Sequence, residues 1–153
     1  MSRESHYSVH NQLTPESAPD VHVELNPAVV VADNRHKFAL SAVCIGPRLA
    51  TNHPLSLSLD CDGERLELNA VHQRAEATGR QSCLTVALFA VSRELLELLA
   101  TAAEVSVGLG DAESALTCSM GPETRQNVTD FLSHPDLLTK TASSQTQVAS
   151  VAV

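Results

Sequence analysis

The segment that most restricts the fold is residues 55–70, LSLSLDCDGERLELNA. Leu55, Leu57, Leu59 and Cys61 alternate with Ser56, Ser58 and Asp60, and Leu66 and Leu68 alternate with Arg65, Glu67 and Asn69. Between the two runs stands Asp62-Gly63, a pair that tolerates the positive φ angles of a two-residue hairpin turn. A turn of that length fixes the pairing: Leu59 faces Leu66, Leu57 faces Leu68, Leu55 faces Ala70, and all six share one face. On the other face Asp60 meets Arg65, an opposite-charge pair contributing about 0.2–1 kcal/mol. A slip of one residue would expose every leucine, so competing registers lose. Carried outward past Pro54, the same register sets His53 opposite His72.

At 153 residues and 43% apolar, the chain suits one domain, and a domain of this size buries about 70% of its unfolded surface. With no Trp, one Tyr and three Phe, its core must be aliphatic. A formal charge of −8 argues against a nucleic-acid partner, whose affinity comes chiefly from Lys and Arg on phosphates. It argues equally against docking on an anionic membrane. No long apolar run occurs and the first 20 residues lack an apolar h-region, so neither a secretory signal nor a transmembrane helix is expected. Cys44, Cys61, Cys83 and Cys118 stand 17, 22 and 35 residues apart, without the close pairs that zinc ribbons require. Cys44, Cys61 and Cys118 share the phase of apolar neighbours, which fits buried free thiols in a cytoplasmic protein.

Residues 1–20 are polar and without periodicity, and read as a disordered arm; residues 139–153 read as a disordered tail. Residues 21–138 then form a single β-rich globular domain. Within it, strands are expected at 21–32 (interrupted at Asn26-Pro27), 36–45, the two hairpin arms, 84–91, 104–109 and 114–120. Residues 84–91, LTVALFAV, are apolar almost throughout, the pattern of a central strand covered on both faces. Residues 73–82 read as a polar loop. Ser92 is placed to cap a helix with Glu94 in its first turn and Leu95, Leu98, Leu99 and Ala102 as its inner stripe. Pro122 opens a second helix whose stripe is Val128, Phe131 and Leu132, ended by Pro135. About seven strands and two short helices make an α+β chain, mainly β: an antiparallel β-sandwich or open barrel.

Catalytic and cofactor motifs are absent. Asp60 to Glu64 begins like a calcium loop, but Gly63 stands fourth where an EF-hand needs Gly sixth, and a strand follows. GxSxG, GxGxxG and GxxxxGK[ST] do not occur. Asn127-Val128-Thr129 matches a glycosylation sequon but falls on a helix. The PilZ domain, also a small β-barrel ending in a helix, requires RxxxR and [DN]xSxxG; Arg35 has no Arg four residues on, and the second motif is missing. Neither a cofactor nor catalysis is implied.

One end of the hairpin differs from the rest. The segments at 46–54 and 72–82 carry Arg48, His53, His72, Arg74 and Arg80 against the lone acid Glu76. These are either ordinary solvated residues or a ligand-binding pole: arginine forks for an anion or an acidic surface, or His53 and His72, about 5 Å apart at Cβ if the register holds, as half of a metal site. The expected function is a non-catalytic accessory or interaction domain that binds a protein partner or itself. The alternative is a small anionic-ligand or metal-binding protein, conceivably an enzyme, that uses this pole.

Overall fold

The computed structural model describes residues 3–8, 11–16, 20–33, 35–46, 54–110 and 116–133. The hairpin is as its sequence dictates. Strands β5 (Ser56–Cys61) and β6 (Glu64–Asn69) pair with Leu57 opposite Leu68, Leu59 opposite Leu66 and Asp60 opposite Arg65. Asp62 and Gly63 hold φ of 54° and 92°, the double positive φ of a type I′ turn. The Ala70 N–H donates to the Leu55 carbonyl at 2.9 Å, so the register extends to that pair. It stops there. His72 lies on a separate strand opposite Leu88, so the outward extension toward His53 fails on its His72 side.

Ten strands and two helices are present among the described residues: β1 (Arg3–Tyr7), β2 (Gln12–Pro15), β3 (His22–Ala32), β4 (Arg35–Gly46), β5, β6, β7 (His72–Ala77), β8 (Cys83–Val91), α1 (Arg93–Thr101), β9 (Val105–Gly110), β10 (Leu116–Met120) and α2 (Pro122–Leu132). The seven expected strands are β3–β6 and β8–β10. Three more correct the sequence reading. β1 and β2 lie in the segment read as a disordered arm, and β7 lies in the segment read as a polar loop. The tail at 139–153, like Pro135, falls outside the described residues.

All pairings are antiparallel, in the order β6-β5-β9-β10-β2-β3-β4-β8-β7, with β1 added to β3. The end strands β6 and β7 are joined only by Ala70 and Val71, so the sheet must curl to bring its two ends together. The result is an open barrel, mainly β. β2 bridges the two halves with short pairings, to β10 at Thr14 and Pro15 and to β3 at Gln12 and Leu13. Thr124 of α2 donates its hydroxyl to the Gln12 carbonyl at 3.0 Å and so pins this bridge.

β3 runs through Pro27 without a break. The Pro27 carbonyl accepts from the Ser8 N–H rather than from β4, and in a strand both backbone groups of a residue point the same way. The missing N–H therefore faces the end of β1, and the ladder forfeits only its terminal bond back to the Ser8 carbonyl, before the gap between β1 and β2. Asn11 and Asn26 fill that gap: the Asn26 Oδ1 accepts the Asn11 N–H at 3.1 Å and its Nδ2 at 2.9 Å.

The core is aliphatic, as expected, and lies inside the curl. Leu25, Leu40, Leu57, Leu59, Phe89 and Leu109 are buried with Leu96, Leu99, Val128 and Phe131 of the helices. Ser92 caps α1, accepting the Leu95 N–H at 3.1 Å, and Pro122 opens α2. Of the expected α1 stripe, Leu99 and Ala102 are buried, whereas Leu95 and Leu98 are only partly covered and Leu96 enters the core instead. Arg93 ties the helices to the sheet, with Nη2 on the Leu132 carbonyl at 3.4 Å and its guanidinium 5.9 Å from the Phe38 ring centroid.

Candidate functional site

The sheet does not close along its whole length. β7 pairs with β8 only as far as Leu88, whose carbonyl accepts the Val71 N–H at 2.8 Å. Beyond it, Phe89, Ala90 and Val91 pair with β4 on one side alone. Opposite them runs β6, whose outer edge has no strand partner among the described residues. A cleft of about 580 Å³ opens between these edges and the first turns of α1.

Leu66 and Leu68 of β6 and Leu95 and Leu98 of α1 form its apolar lining; Glu64, Glu67 and Glu94 are its charges, and no basic side chain lines it among the described residues. Each apolar group has a local cause. Leu66 and Leu68 must face inward by the hairpin register, but as an end strand β6 is covered on one flank only. Leu95 and Leu98 are the surplus leucines of α1 once Leu96 and Leu99 have entered the core. The backbone completes the site. Because Ala70 hydrogen-bonds to Leu55, alternation turns the N–H and C=O groups of Arg65, Glu67 and Asn69 away from β5 and along the open edge.

The predicted Arg/His pole is placed only in part. His72 and Arg74 are exposed on edge strand β7, across from Leu88 and Val86 on the convex face of the sheet. Arg80 is exposed in the β7–β8 turn, which is closed by the Thr78 hydroxyl donating to the Ser82 Oγ at 2.9 Å. Arg48 and His53 fall outside the described residues. Among the described residues, no group of three or more His, Cys, Asp or Glu side chains could hold a metal ion.

A second depression, of about 500 Å³, is acidic, with Glu16, Asp60, Asp62 and Glu104 around Arg125. Its central carboxylate is committed to the fold. Asp62 accepts the N–H groups of Ala103 and Glu104 at 3.0 and 2.8 Å, and these bonds hold its carboxyl below the usual carboxylate range. Arg125 donates to the Met120 carbonyl. The hairpin tip is thereby tied to the α1–β9 connection.

The four cysteines are free and buried, which for Cys44, Cys61 and Cys118 agrees with their phase. Burial, with smaller contributions from Cys44 and Glu16, pushes the Cys118 thiol up to about 11. Burial also raises Cys44 and Cys61. No cysteine lines the cleft among the described residues.

Fold and cleft together define a mainly β open barrel with an apolar, acid-rimmed groove along an unfinished sheet edge. Comparison of the chain with protein-family models, with curated proteins and with solved structures finds no match to any of them. No helix among the described residues is long and apolar enough to cross a membrane.

Proposed function

We propose that this protein is a non-catalytic interaction domain that takes an extended, basic–apolar peptide segment of a partner protein along the free edge of β6. The observation that supports this reading is the coincidence, in one cleft, of a strand edge unpaired among the described residues, a leucine lining and three glutamates with no basic residue among the described lining. Strand addition draws affinity from main-chain hydrogen bonds and specificity from pockets for alternate side chains. Here alternate apolar residues of the guest meet Leu66, Leu68, Leu95 and Leu98, and its Lys or Arg residues meet Glu64, Glu67 and Glu94.

The probe is a fluorescein-labelled octapeptide of alternating Val and Lys, followed by fluorescence anisotropy, with a Val/Glu peptide as control. The Lys peptide binds, added salt weakens it, and a proline at its centre, which removes a ladder donor, abolishes binding. Glu67→Lys on β6 weakens binding at least tenfold, while Glu123→Lys on the exposed start of α2 makes the same change in net charge and leaves it intact. Equal loss in both variants would reduce the effect to bulk charge, and no binding of the Lys peptide would refute the reading.

A further inference from the structure

The apolar character of residues 84–91 is only half used within one chain. Odd-numbered residues of β8, such as Ala87 and Phe89, enter the core. Leu84, Val86 and Leu88 point to the convex face and stay partly exposed. Beside them on β4 stand Val43, half-buried, and Ile45, which at 41% is one of two large exposed apolar residues among those described.

The register arranges this face in rows across four strands. His22, Ile45, Leu84 and Glu76 form the first, Glu24, Val43, Val86 and Arg74 the second, and Asn26, Ser41, Leu88 and His72 the third. The two inner columns are mainly apolar. The two outer columns are polar and opposed in order: imidazole then carboxylate on β3 (His22, Glu24), carboxylate then guanidinium on β7 (Glu76, Arg74).

That order is self-complementary under one symmetry operation. A two-fold axis lying between facing sheets, parallel to the strands and midway between β4 and β8, leaves each row at its own level and exchanges its ends. Glu24 then faces Arg74 of a second copy and His22 faces Glu76, while Val43 covers Val86 and Ile45 covers Leu84. The alternative axis, perpendicular to the strands, would stack Glu24 on Glu24 and Arg74 on Arg74. Glu24 is already oriented for the first arrangement, with Oε2 at 2.7 Å from the His22 Nε2 and Oε1 accepting from the Asn26 Nδ2 at 3.2 Å.

We infer that the convex face of β3-β4-β8-β7 is the contact of a two-fold symmetric homodimer, with Ile45, Val43, Leu84 and Val86 at its centre and Glu24–Arg74 pairs at its rim. Such contacts are isologous, the same patch serving both subunits, and aligned sheet packing allows an angle of about 30° between the strands. With strands about 4.8 Å apart and rows about 6.8 Å apart, four columns and three rows span roughly 400 Å². That is about half of the 800 Å² each partner gives to a standard stable interface, so the dimer dissociates on dilution.

Sedimentation velocity on the full chain, from low micromolar to several hundred micromolar, tests this. The weight-average mass rises toward twice the monomer mass, and Ile45→Glu, at an exposed position, holds it at the monomer with an unchanged circular dichroism spectrum. Charge exchange tests the axis itself. Arg74→Glu alone and Glu24→Arg alone each weaken self-association at least tenfold, because each faces like charge with like. An equimolar mixture of the two variants restores the dimer, both rim pairs being again opposite in sign. A monomer at every concentration, self-association unaffected by Ile45→Glu, or failure of the mixture to recover would each overturn the proposal.

Discussion

Leu57 and Leu68 are directly opposite one another in the hairpin, yet the fold assigns them different work, and alanine substitution separates the two. Leu57 is 0% exposed, enclosed by the inner face of the sheet. Leu68 is partly buried and lines the open cleft. Leu57→Ala removes three carbons from full burial, about 2.4 kcal/mol at about 0.8 kcal/mol each. The void left behind, roughly 50 Å³ at about 24 cal/mol per Å³, adds about 1.2 kcal/mol. The sum, about 3.6 kcal/mol, corresponds to a fall in Tm of about 10 °C for a chain of this length. At Leu68 about half the transfer energy is at stake and no sealed cavity forms, so the cost is about 1 kcal/mol and about 3 °C. Urea unfolding followed by far-UV circular dichroism measures both, since the chain has no Trp and a single Tyr. The m-value stays constant if only the native state changes. Equal costs at the two positions, or a larger one at Leu68, would refute the placement of β6 at the open end of the sheet. Leu68→Ala should also weaken the Val/Lys peptide more than Leu57→Ala does, the reverse of their order in stability.

Two further measurements bear on the connections that hold the cleft in shape. Asp62→Ala lowers the unfolding midpoint at neutral pH and flattens its acid limb: the folded carboxyl titrates below its ordinary value because Ala103 and Glu104 donate to it. Its contribution is therefore present above the unfolded value and lost as pH falls through the folded one. The opposite sign holds for Cys118, whose thiol rises from 9.0 to about 11; between those values the unfolded state ionises first, so stability falls as pH rises across the window. Labelling with a thiol-reactive disulfide reagent follows the same burial, slow in the native protein and complete at four thiols after denaturation.

The legible parts of this fold were those in which one face is buried and the other is not. The β5–β6 hairpin could be read to the residue because leucines alternate with Ser, Asp and Glu around Asp62-Gly63. Ser92 and Pro122 could be read because caps are local chemistry. β7 could not. Its sequence, HQRAEA, lies at a sheet end with every residue exposed except the half-buried Gln73, so no apolar period marks it, and polar end strands of this kind limit edge-to-edge aggregation. β1 and β2 were hidden for a related reason, since their partners on β3 are far along the chain. β3 itself looked interrupted because Pro27 forbids an N–H bond on one flank only, and the sequence does not say which flank the sheet uses.

The same rule explains why the hairpin pointed to one end of the molecule while the cleft lies elsewhere. Extrapolating a register assumes that two strands remain neighbours, and Ala70-Val71 carries the chain off β5 and across to β8 within two residues. That crossing leaves both edges without a strand partner beyond it among the described residues, β6 on one side and the last residues of β8 on the other. Leu66, Leu68, Leu95 and Leu98 have regular spacings and would each be assigned to a core by pattern alone. Their incomplete burial comes from the sheet failing to close, a property of strand order that no single segment encodes. An open edge made this way shares its leucines with the core pattern, so the feature that distinguishes it in sequence is the charge beside them: Glu64, Glu67 and Glu94, with no basic residue among the described ones lining the cleft to answer them.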